Sequence, residues 1–150
     1  MLKLLSRKKP VKIADKTSMK NFHQNSKLIS QDTISQIDKA LASAWSSETT
    51  DPESKENWSD ENIALGQCAV TSVLIYDLFG GRMIYDKANF HNWNEFPDGS
   101  QHDFTRMQFT NERIFSIYKY KTKDDILYDE RGIKTNIEER YKKLKGDFHL

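Results

Sequence analysis

From Gln31 onward the apolar positions step by threes and fours. Ile34, Ile37, Leu41 and Trp45 form one stripe, with Ser30 or Asp32 placed to cap it, which predicts an amphipathic helix. The next segment, "SSETTDPESKENWSDEN", is polar, acidic and turn-rich. It reads as a surface loop of about fifteen residues, a length more often functional than idle. Trp58 stands inside it as a large ring that needs something to cover. A second helix is predicted to start at Cys68. Ala69, Val70, Val73, Leu74, Leu78 and Phe79 give it a broad apolar face, so it belongs at the centre of the fold, and Gly80-Gly81 end it.

The pattern then turns to alternation. "RMIYD" reads as a strand, "NFHNWNEF" and "SQHDFTRMQF" as two more joined by Pro97-Asp98-Gly99, and "RIFSIYKYK" as a fourth. In that fourth strand Ile114 and/or Phe115, Ile117 and Tyr118 are expected to be partly buried. "TNIEERYKKLKG" predicts a last helix: Thr135 and Glu138 have capping-box spacing, Ile137, Tyr141 and Leu144 form its stripe, and Gly146 closes it. The sum is an α+β fold, a central helix packed on a small antiparallel sheet.

The hairpin register decides which side chains can meet, because neighbours along a strand face opposite ways. A two-residue Asp98-Gly99 loop would put His91 and Asp103 on opposite faces. A three-residue loop, Pro97 to Gly99, sets Trp93 opposite Asp103 and His91 diagonally beside it on the same face. Proline at the second position of a type I turn, followed by a glycine for the left-handed bulge residue, favours the second. His91, Trp93, Asp103 and Thr105 are therefore expected on one face, with Phe90, Phe96 and Phe104 on the other. His102 falls with the latter set.

Composition narrows the function classes. A chain of 150 residues fits one domain. Residues 1–28, rich in Lys and Arg and without periodicity, read as a flexible basic tail, and 29–150 as a single α+β domain. A net charge of +1 argues against a dedicated nucleic-acid binder. The single cysteine excludes an internal disulfide framework and a Cys-rich zinc site, and no metal or cofactor is expected. No apolar run approaches the ~18 residues of a membrane span, and "MLKLLSRKK" is too short for a secretory signal. A soluble, cytoplasmic protein with no membrane partner is the expectation.

The candidate chemistry centres on Cys68. A thiol in the first turn of a helix feels the positive end of the dipole, and an adjacent imidazole can lower its pKa further. His91 is the candidate base and Asp103 the acid that would orient it. The free backbone N–H of Cys68 can donate to an oxyanion, with Gln67 or Trp58 as second donor. Trp93 and Thr105 are further candidates for the substrate side. Plainer roles stand beside these: a buried structural cysteine, a surface or hydrogen-bonded histidine, a turn acid at Asp103, packing tryptophans at 58 and 93, and Thr105 on a strand surface.

A resemblance sharpens the choice. "GQCAVTSVLIYDLFGG" followed by "HNWNEFPDGSQHDFTRMQF" resembles the YunG-like family of small bacterial proteins. The matching positions are Gly66 to Thr71, His91 to Asn94 and Asp103 to Arg106, with Phe104 in place of leucine, and the likeness runs over roughly 30–145. The order of cysteine on a helix, histidine opening a strand and aspartate on the next is also similar to transglutaminase-like and papain-like enzymes. That similarity implies a minimal core of the same kind and a Cys68-His91-Asp103 acyl-transfer site: an amide or ester hydrolase, deamidase or transamidase acting on a peptide, protein or small-molecule amide. The rival is a non-catalytic regulatory module binding a peptide or small ligand in a groove covered by the Trp58 loop. A nucleic-acid binder working through the basic tail ranks below both.

Overall fold

The computed structural model describes residues 29–116 and 119–150. The segment 1–28, read as a basic tail, lies outside the described residues, as do Ile117 and Tyr118.

Helix α1 (Gln31–Ala44) begins at Ser30, whose hydroxyl accepts the Thr33 N–H at 3.1 Å. It buries Ile34, Ile37, Leu41 and Ala44. Trp45 follows, and its indole N–H donates to the Thr71 hydroxyl at 2.9 Å, tying α1 to the second helix. The acidic segment after it folds back tightly around a short 3-10 helix, Pro52–Asn57. The Asp51 N–H donates to the Gly66 carbonyl at 2.9 Å, and the Trp58 indole donates to the Ile63 carbonyl at 2.8 Å.

Helix α2 (Cys68–Phe79) is central, with Val70 to Ile75 buried without a break. Such all-round burial needs neighbours on every side: α2 packs on the sheet and on the C-terminal helix. Leu78, expected on the apolar face, is instead 46% exposed, because it falls in the last turn beyond those neighbours. Gly80, at φ +77° and ψ −155°, ends the helix in a positive-φ conformation open to glycine.

Strands β1 (Arg82–Asp86), β2 (His91–Glu95), β3 (Gln101–His102) and β4 (Lys119–Lys121) form an antiparallel sheet in the order β3-β2-β1-β4. Asn94 pairs with His102 and Glu95 with Gln101. The Phe96 N–H donates to the Ser100 carbonyl at 2.7 Å, and Gly99 sits at φ +89°. The loop is the three-residue Pro97–Gly99 turn, and its register sets Trp93 level with Asp103.

Beyond His102 the expected long third strand stops. The Asp103 carboxylate accepts the Thr105 N–H at 3.1 Å. This local bond draws the backbone into a turn and a short 3-10 helix, Arg106–Gln108, rather than a ladder. Of the expected fourth strand, the described residues 119–121 pair with β1, while Ile114 is 78% exposed and Phe115 is buried.

Two short helices unforeseen in the pattern follow, α3 (Lys123–Tyr128) and α4 (Glu130–Lys134). A capping box does occur, between Thr122 and Asp125. The one expected at Thr135 and Glu138 does not: Thr135 donates to the Arg131 carbonyl at 2.7 Å and Glu138 accepts from the Tyr128 hydroxyl at 2.6 Å. Helix α5 (Ile137–Asp147) starts from Asn136 at φ +55° and runs through Gly146 to Phe148. It buries Ile137, Tyr141 and Leu144 as its stripe predicts.

Helices α1, α2 and α5 share one core with Met83 and Phe96 from one side of the sheet. Ile84, Trp93 and Phe115 make a second, smaller cluster. By strand alternation it lies on the opposite face. No described helix is long and apolar enough to cross a membrane, and no group of His, Cys, Asp and Glu among the described residues is arranged to hold a metal ion.

Candidate active site

Gly66 sets the approach to α2. At φ +72° it takes a conformation L side chains rarely adopt, and a Cβ there would overlap the Thr50 hydroxyl. Gln67 follows, fully buried, with its amide donating to the Ser46 carbonyl at 3.1 Å. Cys68 is then the first helical residue. The first N–H to find an intrahelical partner is that of Thr71, on the Gln67 carbonyl at 3.0 Å. The sulfur thus stands where the unpaired amides and the dipole favour negative charge.

His91 opens β2 straight after Phe90, which is 65% exposed and held at φ +49°. A left-handed aromatic is uncommon and costs strain, and this one turns the chain so that His91 enters the interior. The ring is fully buried, and its Nε2 lies 2.6 Å from Asp103 Oδ2. The other Asp103 oxygen accepts the Thr105 N–H at 3.1 Å and its hydroxyl at 3.3 Å. Trp93 stacks on the imidazole at 5.7 Å between centroids, Phe109 meets it edge-on at 4.9 Å and Phe115 lies at 5.2 Å. Three aromatic rings and one carboxylate fix the imidazole's orientation.

With Nε2 engaged by Asp103, Nδ1 is the nitrogen available to the thiol. The Gln108 amide reaches it at 3.4 Å, and the same side chain accepts the Gly66 N–H at 3.3 Å. Gln108 therefore bridges the base of α2 to the imidazole.

The electrostatics follow from this packing. Burial alone would raise the Cys68 thiol, but hydrogen bonding to His91 and its charge, helped by the Asn92 amides, bring its pKa below the ordinary thiol value. Burial alone would lower His91. The hydrogen bonds to Asp103 and Cys68 and their negative charges push it up to about 9 instead. Opposite shifts of this kind favour a thiolate beside an imidazolium.

Cys68 opens onto a cleft of about 230 Å³, lined also by Tyr85, Phe90, Asn92, Gln108, Arg131 and Arg140. The Asn92 side-chain nitrogen lies 4.0 Å from the sulfur.

Of the residues singled out by sequence, Cys68, His91 and Asp103 come together. Trp93 and Thr105 do not face the cleft: each is 1% exposed and sits behind the imidazole or the carboxylate. Gln67 and Trp58 are engaged elsewhere: the Gln67 side-chain nitrogen donates to the Ser46 carbonyl and the Trp58 indole to the Ile63 carbonyl. His102 lies apart, its ring 4.3 Å from that of Phe104. Asn92 and Gln108 were not anticipated. For Asn92 the signal was present, because alternation along β2 turns residue 92 away from His91's side and towards α2. Gln108 had none, since its position depends on the turn that Asp103 and Thr105 make.

Comparison with curated proteins and with solved structures gives no match. A family model described as YunG protein matches residues 33–149. That span takes in nearly the whole described fold and every residue of the cleft, so the chain belongs to the YunG family.

Proposed function

We propose that this protein is a cysteine-dependent acyl-transfer enzyme in which Cys68 is the nucleophile, His91 the acid–base and Asp103 the orienting carboxylate. The observation that carries this reading is the buried 2.6 Å contact between His91 and Asp103 on the far side of an imidazole that acidifies a helix-start thiol. A structural cysteine needs none of these. The order of the three residues and the helix-on-sheet placement support a likeness to papain-like and transglutaminase-like chemistry.

In this mechanism the thiolate adds to the carbonyl carbon of an amide or ester. The oxyanion forms beside the Cys68 N–H and the Asn92 side-chain amide, which replaces Gln67 and Trp58 as second donor. The imidazolium gives its proton to the leaving amine or alcohol as the C–N or C–O bond breaks, leaving a thioester on Cys68. The neutral imidazole then takes a proton from water, or from an acceptor amine, which attacks the thioester and releases the thiol. Asp103 keeps Nε2 protonated throughout, so Nδ1 is always the working nitrogen.

Alkylation by iodoacetamide across pH tests the reading. Cys68 should react at a steady rate well below the ordinary thiol range, and His91→Ala should move the reactive form up to about 8.5. A wild-type thiol that reacts only in that higher range, indifferent to His91→Ala, would end the proposal.

A further inference from the structure

The charged residues of the cleft close on one another, with one exception. Arg131 pairs with Asp51 at 2.5 Å and Glu53 at 3.6 Å, and Lys121 pairs with Asp129 at 3.2 Å. Arg140, on α5, is 7% exposed and makes no ion pair among the described residues. Its guanidinium instead donates to the Thr135 carbonyl at 2.9 Å, the Thr49 carbonyl at 3.1 Å and the Thr135 hydroxyl at 3.3 Å. A guanidinium has five N–H donors, so two are left over.

A buried cation with no anion in direct contact is costly, and burial lowers the pKa of Arg140 despite the charges of Asp51 and Cys68. Arginine retained in such a place is suited to a planar, two-oxygen partner. This one lines the same cleft as the Cys68 sulfur. Asp51 and the Cys68 thiolate are the negative charges that act on it. Neither reaches it as a hydrogen-bond or ion-pair partner: Asp51 is paired with Arg131, and the sulfur is held by His91 and Asn92.

We infer that the cleft binds a carboxylate of the substrate on Arg140 while Cys68 works on an acyl group of the same molecule. The inference rests on the acyl-transfer reading and narrows its substrate to anionic amides or esters. Neutral substrates would leave Arg140 without a contacting anion, whereas a carboxylate both pairs with it and takes up its spare N–H groups. Arg131 and Lys121, already paired, would line the approach and contribute less.

Paired alkylating reagents test this directly. N-iodoacetylglycine, N-iodoacetyl-β-alanine and N-iodoacetyl-γ-aminobutyrate each have a neutral counterpart, the terminal amide. For the chain length that spans sulfur to guanidinium, the carboxylate should label Cys68 about tenfold faster than its amide, the scale of one charge-assisted hydrogen bond. The advantage should shrink with salt, vanish in Arg140→Gln, survive in part in Arg140→Lys and persist in Arg131→Gln. Equal rates within every pair in the wild-type protein would overturn the inference and leave the acyl-transfer reading intact.

A second measurement keeps the two separable. In Cys68→Ser, glutarate should raise the melting temperature above that with glutaramide at equal ionic strength, and Arg140→Gln should erase the difference. No difference in Cys68→Ser counts against the carboxylate site whatever the thiol does.

Discussion

The Cys68 thiolate and the His91 imidazolium sustain each other, and Asp103 makes the arrangement durable. A lowered thiol and a histidine raised to about 9 define a window in which both charges coexist. The proposed acyl transfer needs both: its rate should rise as the thiolate forms, level off, and fall as His91 loses its proton near 9. Alkylation needs only the thiolate and should not fall on the alkaline side, so the two profiles should part near that pH. Asp103→Asn removes the charge that favours the imidazolium and leaves the site a similar shape. It should slow acyl transfer on the order of 100-fold and pull the alkaline limb down towards the usual histidine range. An unchanged limb would mean that Asp103 serves the fold alone.

At the scale of elements, the site depends on how two turns enter it. Gly66 delivers the chain to α2 in a left-handed conformation hard against Thr50. Gly66→Ala should therefore destabilise the protein by about 1–3 kcal/mol in urea unfolding. Because Gly66 also donates to Gln108, the same variant should slow Cys68 alkylation at neutral pH, and a rate equal to wild type would break that link. The hairpin is the second entry. Its three-residue loop places Asp103 on the side of His91, and the Asx-type bond to Thr105 then ends the strand at that point. One turn sets the face of the carboxylate and the other sets its depth.

In the whole molecule, the site lies where the helical layer meets the sheet at the start of β2, and stability and reactivity are separable. Leu144 of α5 is fully buried in the main core, away from the aromatic cluster around His91. Leu144→Ala should cost about 2–5 kcal/mol by chemical denaturation yet leave the Cys68 alkylation rate of the folded protein unchanged. A parallel loss of reactivity would show that the core controls the geometry of the thiol and the imidazole. The same layer brings Arg140 of α5 beneath the loop at Thr49 and into the cleft that α2 opens, joining parts of the chain far apart in sequence.

The sequence by itself determined what local physics can determine. Apolar spacing defined α1, α2 and α5, paired glycines ended α2, and Pro97 with Gly99 chose the loop length, hence the face of Asp103. Only the tertiary structure decided the rest. Helices α3 and α4, of six and five residues, are too short to hold by propensity and exist because they pack. Where the Gln67 amide and the Trp58 indole donate depends on carbonyls at Ser46 and Ile63 that the fold brings to them, and whether Arg140 has an acid in contact depends on where Asp51 spends its charge. Periodicity records which way a side chain points; it carries no record of the partner that awaits it there.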